Sequence, residues 1–207
     1  VNTLETLALS PSLVEAIETA NQAHVGRDQA ELDAEIAVLD NAWSSKDPSA
    51  DALVDEIANN ETSDHLRSFM QTFPEQVEVF ATDIQGLNVA MTGRTGDYLQ
   101  ADEEWWIGAY DGGKGTTSIS EVDYDDSAGA WAIDVGVPIR DSKGTVIGVL
   151  RGTVDISVVF SVLSEVSYGE TGKATMLDSQ GRILYSHNQE MLMQQAPEEI
   201  LALVIEE

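Results

Sequence analysis

The sequence contains no cysteine among its 207 residues. Disulfide bonds, thiolate metal sites and cysteine nucleophiles are therefore excluded. The sequence also lacks an apolar run near the ~20 residues of a membrane-spanning helix, and it opens at Val1 without a signal-peptide pattern. We accordingly expect either a soluble protein or a part that lies between flanking membrane helices, and composition leaves both open.

Basic residues are scarce. Ten Lys and Arg stand against 37 Asp and Glu, which gives a formal net charge of −27. A surface this negative repels nucleic acid and anionic lipid, so neither is expected as a partner. The apolar fraction of 43% is ordinary for a globular protein and sufficient for a buried core.

Sequence motifs of catalysis are also missing. There is no phosphate-binding Gly-Lys-Ser/Thr loop, no Gly-x-Ser-x-Gly elbow and no His-Glu-x-x-His. The three histidines, His24, His65 and His187, have no metal-ligand partner at suitable spacing. We predict no catalytic residue, no metal and no cofactor. An acid–base hydrolase that uses Asp and Glu is a distant alternative. Its candidate residues would be the paired acids Glu103 and Glu104, but such a pair is more typical of a solvated helix face.

The first third of the chain has helical patterns. Ser12–Glu15 is a capping-box signature. Leu32, Ile36, Leu39 and Trp43 recur at helical spacing and share one apolar stripe. This stripe also offers an interface for a homodimer through the N-terminal helix.

The middle of the chain changes to strand patterns. Apolar alternation and turn residues predict five strands, and one helical segment separates the second strand from the third. An α+β fold with a five-stranded antiparallel sheet is the simplest assembly. The predicted strands cover residues 76–82, 87–91, 116–122, 131–138 and 145–154, and the helix covers residues 102–110.

Four segments occur in an order that resembles the Cache family of extracytoplasmic sensors. They are Asn88–Trp106, Tyr124–Trp131, Val137–Leu150 and Gly169–Gly181. The resemblance implies a long N-terminal helix that carries one or two PAS-like modules.

The resemblance also implies the domain order. Residues 1–75 would form a helical stalk, and residues 76–160 a membrane-distal PAS-like module. Residues 161–207 would form a linker helix and part of a membrane-proximal module. Asp83–Gly86 and Asp178–Gly181 are similar turn phrases, which hints at two related units.

The function that the resemblance implies is sensing rather than catalysis. Such a domain binds a small molecule outside the cell and shifts a helix that runs through the membrane to a histidine kinase or chemoreceptor output. Membrane contact would occur only through flanking helices absent from this chain. The alternative is a module of the same kind that has lost its ligand and serves as a dimerisation spacer.

The resemblance extends to the ligand pocket. Amino-acid-binding members have a Tyr, an Arg five residues later, an aromatic pair and then an Asp, with a further Asp near the end of the last strand. Tyr98, the pair Trp105–Trp106 and the late Asp155 match this pattern. The Arg position holds Glu103, and the first Asp position holds Gly108.

These departures alter the expected ligand. A Glu cannot grip a carboxylate as a bidentate Arg does. An aromatic wall with carboxylates suits a cation or a neutral polar ligand, such as an amine or an amino-acid-like molecule. An organic acid remains open, because Arg94 could substitute as an anion clamp. Tyr110, Tyr124 and Asp125 complete the predicted ligand-binding set.

Each of these residues also has a structural interpretation. Trp105 and Trp106 adjoin on a short helix, so one is expected in the core and the other in the pocket. Asp155 would alternatively cap the helix that follows it. Tyr98 and Tyr110 would alternatively pack as structural aromatics.

Overall fold

The computed structural model describes residues 1–125, 130–168 and 172–202. The chain is divided into two compact units. Unit 1 consists of Val1–Ser120 and Asp134–Val154, and unit 2 of Glu121–Ile133 and Asp155–Glu207.

Helices form the first part of unit 1. They are α1 (Asn2–Ala8), α2 (Pro11–Gln22), α3 (Gln29–Ser44), α4 (Asp51–Ala58) and α5 (Glu61–Thr72), with α6 (Glu104–Tyr110) further along the chain; short 3₁₀ turns occur at Pro48–Ala50 and Asp111–Gly113.

The expected long N-terminal helix is divided between α2 and α3. Gly26 adopts a left-handed conformation with φ of +77°, which ends helical continuity. The Oδ1 of Asp28 then accepts hydrogen bonds from the backbone N–H groups of Ala30 and Glu31, at 3.0 and 3.1 Å. This side-chain cap starts α3 as a separate helix.

The sheet of unit 1 is antiparallel, and its strand order is β2-β1-β6-β5-β3. This confirms the predicted α+β class and the five-stranded sheet with a helix between its second and third strands. The strands are β1 (Gln76–Thr82), β2 (Asn88–Met91), β3 (Ser118–Ile119), β5 (Ala130–Arg140) and β6 (Val146–Asp155); β4 (Asp123–Asp125) pairs with the first residues of β5 in unit 2.

Glycines allow close packing on both faces of the sheet. A Cβ on Gly152 would lie 2.6 Å from Leu4 of α1, and one on Gly148 would lie 2.9 Å from Ile17 of α2. On the opposite face, a Cβ on Gly136 would lie 3.0 Å from the carbonyl oxygen of Trp105. The helix α6 therefore rests directly on β5.

One hydrophobic core cluster of unit 1 lies on the α6 face of the sheet. It is a cluster of buried aromatic and aliphatic side chains from α3, α4, α6, β1, β2 and β6. Its members are Trp43, Ala50, Ile57, Phe80, Met91, Trp105, Trp106, Ala109 and Val149.

Three hairpin turns share one geometry. They are Asp83–Gly86, Asp141–Gly144 and Asp178–Gly181. In each, the Oδ1 of the Asp accepts the backbone N–H groups two and four residues later. The glycine adopts φ of 81°, 84° and 78° respectively. The recurring sequence phrase thus follows from a shared local turn, since Asp and Gly are what this geometry requires.

Unit 2 contains short elements. Strands β9 (Met176–Leu177) and β10 (Ile183–Tyr185) pair as an antiparallel hairpin. The last helix is α8 (Glu198–Leu201), and residues 203–207 lie outside the described part. The elements are α7 (Ser157–Glu165), β7 (Ser167–Tyr168), β8 (Gly172–Lys173), β9 (Met176–Leu177), β10 (Ile183–Tyr185) and α8 (Glu198–Leu201), with a 3₁₀ turn at Gln189–Met191.

Within the described ranges, no helix combines the length and the apolar composition that crossing a membrane requires. The domain boundaries that the sequence suggested stay a prediction.

Candidate functional site

The short helix α6 places two tryptophans side by side. It begins after Glu103, whose backbone is extended, and it ends at Asp111, which adopts a left-handed φ of 45°. Consecutive helical residues point about 100° apart, as the 3.6-residue turn requires. Trp105 and Trp106 are both buried, at 8% and 5% exposure, but in different surroundings.

Trp106 packs as a core residue. Its Nε1–H donates to the Oγ1 of Thr82 at 2.9 Å. Its ring stacks on Tyr110, with centroids 4.8 Å apart. These contacts agree with the interpretation that one tryptophan of the pair, here Trp106, packs in the core and that Tyr110 is a structural aromatic.

Trp105 meets a cation instead. Its ring lies edge-to-face with Phe80, with centroids 5.5 Å apart. The guanidinium of Arg151, on β6, lies 5.4 Å from the Trp105 ring and 5.3 Å from the Phe80 ring. Both distances fall within the range of a cation–π interaction.

Carboxylates surround the same guanidinium. One Nη of Arg151 lies 2.6 Å from the Oδ2 of Asp134, and the other lies 3.5 Å from the Oε2 of Glu78. Thr153 donates its hydroxyl to the Oδ1 of Asp134 at 2.8 Å. We name this group the sheet-face site; its members are Glu78, Phe80, Trp105, Asp134, Arg151 and Thr153.

The sheet-face site is partly open and not fully paired. The side chains of Arg151, Asp134 and Glu78 are 19%, 27% and 32% exposed. The Nε of Arg151 is buried and has no hydrogen-bond partner. Arg151 thus keeps one buried donor without a partner next to the Trp105 and Phe80 rings.

Glu103 belongs to the same electrostatic environment. Burial raises the pKa of Glu103, and the negative charges of Asp97 and Asp102 raise it further, whereas Arg151 opposes the shift. Position 103 thus adds an acid, rather than the family's Arg, to the surroundings of Arg151.

Tyr98 and Arg94 contact a different tryptophan. The ring of Tyr98 stacks on Trp43 with centroids 5.4 Å apart, and the guanidinium of Arg94 lies 5.5 Å from the Trp43 ring. An Nη of Arg94 donates to the carbonyl oxygen of Trp43 at 2.8 Å. The other Nη lies 3.8 Å from Asp51. Arg94 thus holds α3 and the start of α4, and its use as an anion clamp stays a prediction.

Asp155 belongs to unit 2. Its Oδ1 accepts the backbone N–H of Ser157 at 2.7 Å, at the start of α7. The N-cap of α7 is Ile156 rather than Asp155, so this contact is a local bond just before the helix, and ligand contact stays a prediction. Tyr124 and Asp125 lie on β4, and their side chains lie outside the described part of the structure.

The prediction from sequence omitted Arg151, Asp134 and Glu78. A signal was nevertheless present, because Asp134 and Arg151 are charged residues inside apolar strands. A charge in such a position needs a partner or a function.

An antiparallel sheet with a helix packed across one face is the architecture of a PAS-like module. A family model described as a Cache domain matches residues 10–206. The chain belongs to the Cache domain family. In chemoreceptors these domains are extracytoplasmic sensor domains that bind ligands.

Two solved structures share the fold with a TM-score of 0.54 each. One is the ligand-binding domain of the Pseudomonas aeruginosa PAO1 amino acid chemoreceptor PctC in complex with GABA, at 16% identity over 82% of this chain and 80% of that one. The other is the ligand-binding domain of the Campylobacter jejuni chemoreceptor Tlp3 in complex with 4-methylisoleucine, at 13% identity over 98% and 78%.

A curated relative is similar over part of the chain. The methyl-accepting chemotaxis protein McpA of Pseudomonas putida is 23% identical over 97 residues, which are 46% of this chain and 15% of that protein. The chain therefore aligns with a small share of a much longer receptor.

Proposed function

We propose that this chain is the extracytoplasmic sensing domain of a membrane signalling receptor and that the sheet-face site binds its ligand. The ligand would be a small polar molecule with an ammonium group, either an amine or an amino-acid-like molecule. The observation that carries the proposal is the placement of Arg151 against Trp105 with two carboxylates around it.

The charges of the site favour a zwitterion or a cation. Glu78, Asp134 and Glu103 provide carboxylates, and Arg151 provides the guanidinium. Acids exceed bases, so an ammonium group is attracted and a free organic anion is repelled. The guanidinium of Arg151 supplies the positive charge that would attract a ligand carboxylate.

Arg151 can also take the place of the guanidinium that the family pattern expects at position 103, where this chain has Glu103. The family pattern puts a guanidinium at position 103, beside the tryptophan that follows. Here a guanidinium from β6 lies beside the same Trp105. Relatives of the same fold include an amino acid chemoreceptor domain in complex with GABA, which makes amino-acid-like ligands reasonable first probes.

The receptor context completes the proposal. Ligand binding would bias the position of a helix that continues through the membrane to a chemoreceptor or histidine kinase output. The net charge of −27 makes nucleic acid an unfavourable partner. The domain would act by binding and not by catalysis.

The spacer alternative gains no support from the apolar stripe. Leu32, Ile36 and Trp43 are 3%, 6% and 0% exposed within unit 1. Leu32 and Ile36 cluster with Leu87, and Tyr98 packs against them. A homodimer through the N-terminal helices stays a prediction, and it would have to use other side chains.

Thermal-shift screening with amines, α-amino acids and 4-aminobutanoate tests the proposal. For ligands that bind, isothermal titration calorimetry separates the two charges by comparing 4-aminobutanoate with n-butylamine and butanoate. We expect the first two to bind and butanoate to bind weakly or not at all. The proposal fails if nothing in the panel binds.

The Arg151→Gln variant isolates the guanidinium. It should weaken 4-aminobutanoate binding about tenfold, the loss expected for one hydrogen bond to a charged group. Binding of n-butylamine should persist. Arg27→Gln is the matched control, because Arg27 pairs with Glu35 at the surface of unit 1. Equal effects of the two variants would contradict the assignment of Arg151.

A further inference from the structure

A second cavity lies at the edge of the unit 1 sheet. It has a volume of about 770 Å³ and is lined by α2, α4, α5, the β1–β2 hairpin and Tyr98. Small-molecule sites typically occupy about 300–1,000 Å³. Neither Trp105 nor Arg151 is among the described residues that line it, so it is distinct from the sheet-face site.

We propose that this edge cavity binds a small organic cation with ammonium groups, independently of the sheet-face site. Four carboxylic side chains line it, Glu15, Glu56, Glu61 and Asp83. Among the described lining residues there is no Lys or Arg. A cavity of this charge attracts cations and repels anions.

The pKa of Tyr98 reflects the negative charge of the edge cavity. This pKa is raised by burial first, and then by the negative charges of Asp83 and Glu56. The phenol therefore stays protonated, and its hydroxyl keeps both a donor and an acceptor function.

One of the lining residues carries a buried acceptor without a partner. Asn88 is 2% exposed and lines the cavity. Its Nδ2 donates to the Oγ1 of Thr95 at 2.8 Å and to the carbonyl oxygen of Asp97 at 2.9 Å. Those two bonds fix the orientation of the amide and leave Oδ1 without a hydrogen bond. A ligand N–H would satisfy this oxygen, whose burial is otherwise costly.

Both carboxylate oxygens of Asp83 already accept hydrogen bonds within the protein, so another acid must contact the ligand ammonium group. The Oδ1 of Asp83 accepts the backbone N–H groups of Gln85 and Leu87, and its Oδ2 pairs with the Nε2 of His24 at 2.8 Å. Glu56, on α4, is exposed and lines the cavity. Glu56 and Asn88 both line the cavity, so the proposed ammonium contact is assigned to them.

An organic cation fits better than a metal ion. Nowhere in the described part of the chain do three His, Asp or Glu residues gather closely enough to hold a metal. The cavity is also far larger than a single ion, and a flexible diamine would place ammonium groups near more than one of its dispersed carboxylates.

Calorimetry with 1,4-diaminobutane tests the edge cavity, with 1,4-butanediol as the uncharged control. The titrations use a Glu78→Gln, Asp134→Asn, Glu103→Gln chain, in which the three carboxylates that the proposed function assigns to the sheet-face site are neutral. We expect diaminobutane to bind and butanediol not to bind. Absence of diaminobutane binding in this background would overturn the proposal.

Two variants then place the ligand. Glu56→Gln should weaken diaminobutane about tenfold, and Thr62→Lys should abolish binding by putting a fixed ammonium into the cavity that Thr62 lines. Asp55→Asn is the control, since Asp55 is an exposed neighbour outside the lining. If Glu56→Gln matches Asp55→Asn and Thr62→Lys still binds the diamine, the cavity is not the site.

Discussion

The two adjacent tryptophans make a sharp test of the structure, because they differ in hydrogen bonding. Trp106 donates to the Oγ1 of Thr82 at 2.9 Å, whereas Trp105 lies against Phe80 and Arg151. Replacing Trp106 by Phe removes that bond, worth about 0.5–1.5 kcal/mol. It also removes about 40 Å² of buried ring, worth about 1 kcal/mol at 25 cal/mol per Å².

The expected loss of unfolding free energy for Trp106→Phe is therefore about 2 kcal/mol. For a chain of this size the melting temperature should fall by roughly 4–8 °C. Thr82 keeps its own donated bond to the carbonyl oxygen of Val149, so no orphaned hydroxyl adds to the cost. Urea unfolding followed by circular dichroism measures the change.

A double-mutant cycle isolates the hydrogen bond itself. Trp106→Phe combined with Thr82→Val should show a coupling energy of about 0.5–1.5 kcal/mol, which is the range of the bond. Trp105→Phe combined with Thr82→Val should be additive within about 0.5 kcal/mol, as for residues without a shared bond. Trp105→Phe should instead weaken 4-aminobutanoate binding several-fold. Equal coupling in both cycles would refute the assignment of the two side chains.

Two further predictions concern the sheet and its turns. Gly148→Ala should destabilise the chain by about 3 kcal/mol or more through overpacking, because the new Cβ would overlap the carbonyl oxygen of Thr82. Gly93→Ala is the control, since open space surrounds Gly93 and the change should be nearly neutral. Urea unfolding measures both. Asp141 has a pKa below its usual 3.8 because it accepts the backbone N–H of Thr145. The stability it contributes is therefore present above that value and lost as the pH falls through the lowered pKa. Asp141→Asn should flatten acid unfolding below about pH 4, and an unchanged acid limb would contradict the argument.

Local patterns predicted the elements of the sheet well. The segment 76–82 was predicted as a strand, and β1 occupies Gln76–Thr82. Its signal is local, since alternating side chains and an Asp-Gly turn are both short-range features. The N-terminal helices were harder to predict, because the apolar pattern does not show whether one long helix continues past Gly26 or two separate helices form.

The site was harder still, because it depends on which elements cross in space. The family pattern assigns Tyr98, Trp105 and Trp106 to one pocket, and Arg94 was added to it as a substitute anion clamp; these assignments stay predictions. The structure places Tyr98 and Arg94 against Trp43. Neither spacing along the chain nor composition shows that Tyr98 and Arg94 contact Trp43, since that is decided by the packing of α3 against the segment before α6.

The substitution at position 103 shows why a missing motif residue is weak evidence for a lost site. Arg151 and Glu103 are distant in the chain, yet the charge of Arg151 shifts the pKa of Glu103. The same α6 helix lies above β6, so a guanidinium from the strand can occupy space beside Trp105 that the family pattern fills from the helix. Charge in a pocket is set by the sum of nearby groups and not by the element that carries each one. In the proposed site, an acid just before the helix and a base on the strand supply the two signs that a zwitterionic ligand would require.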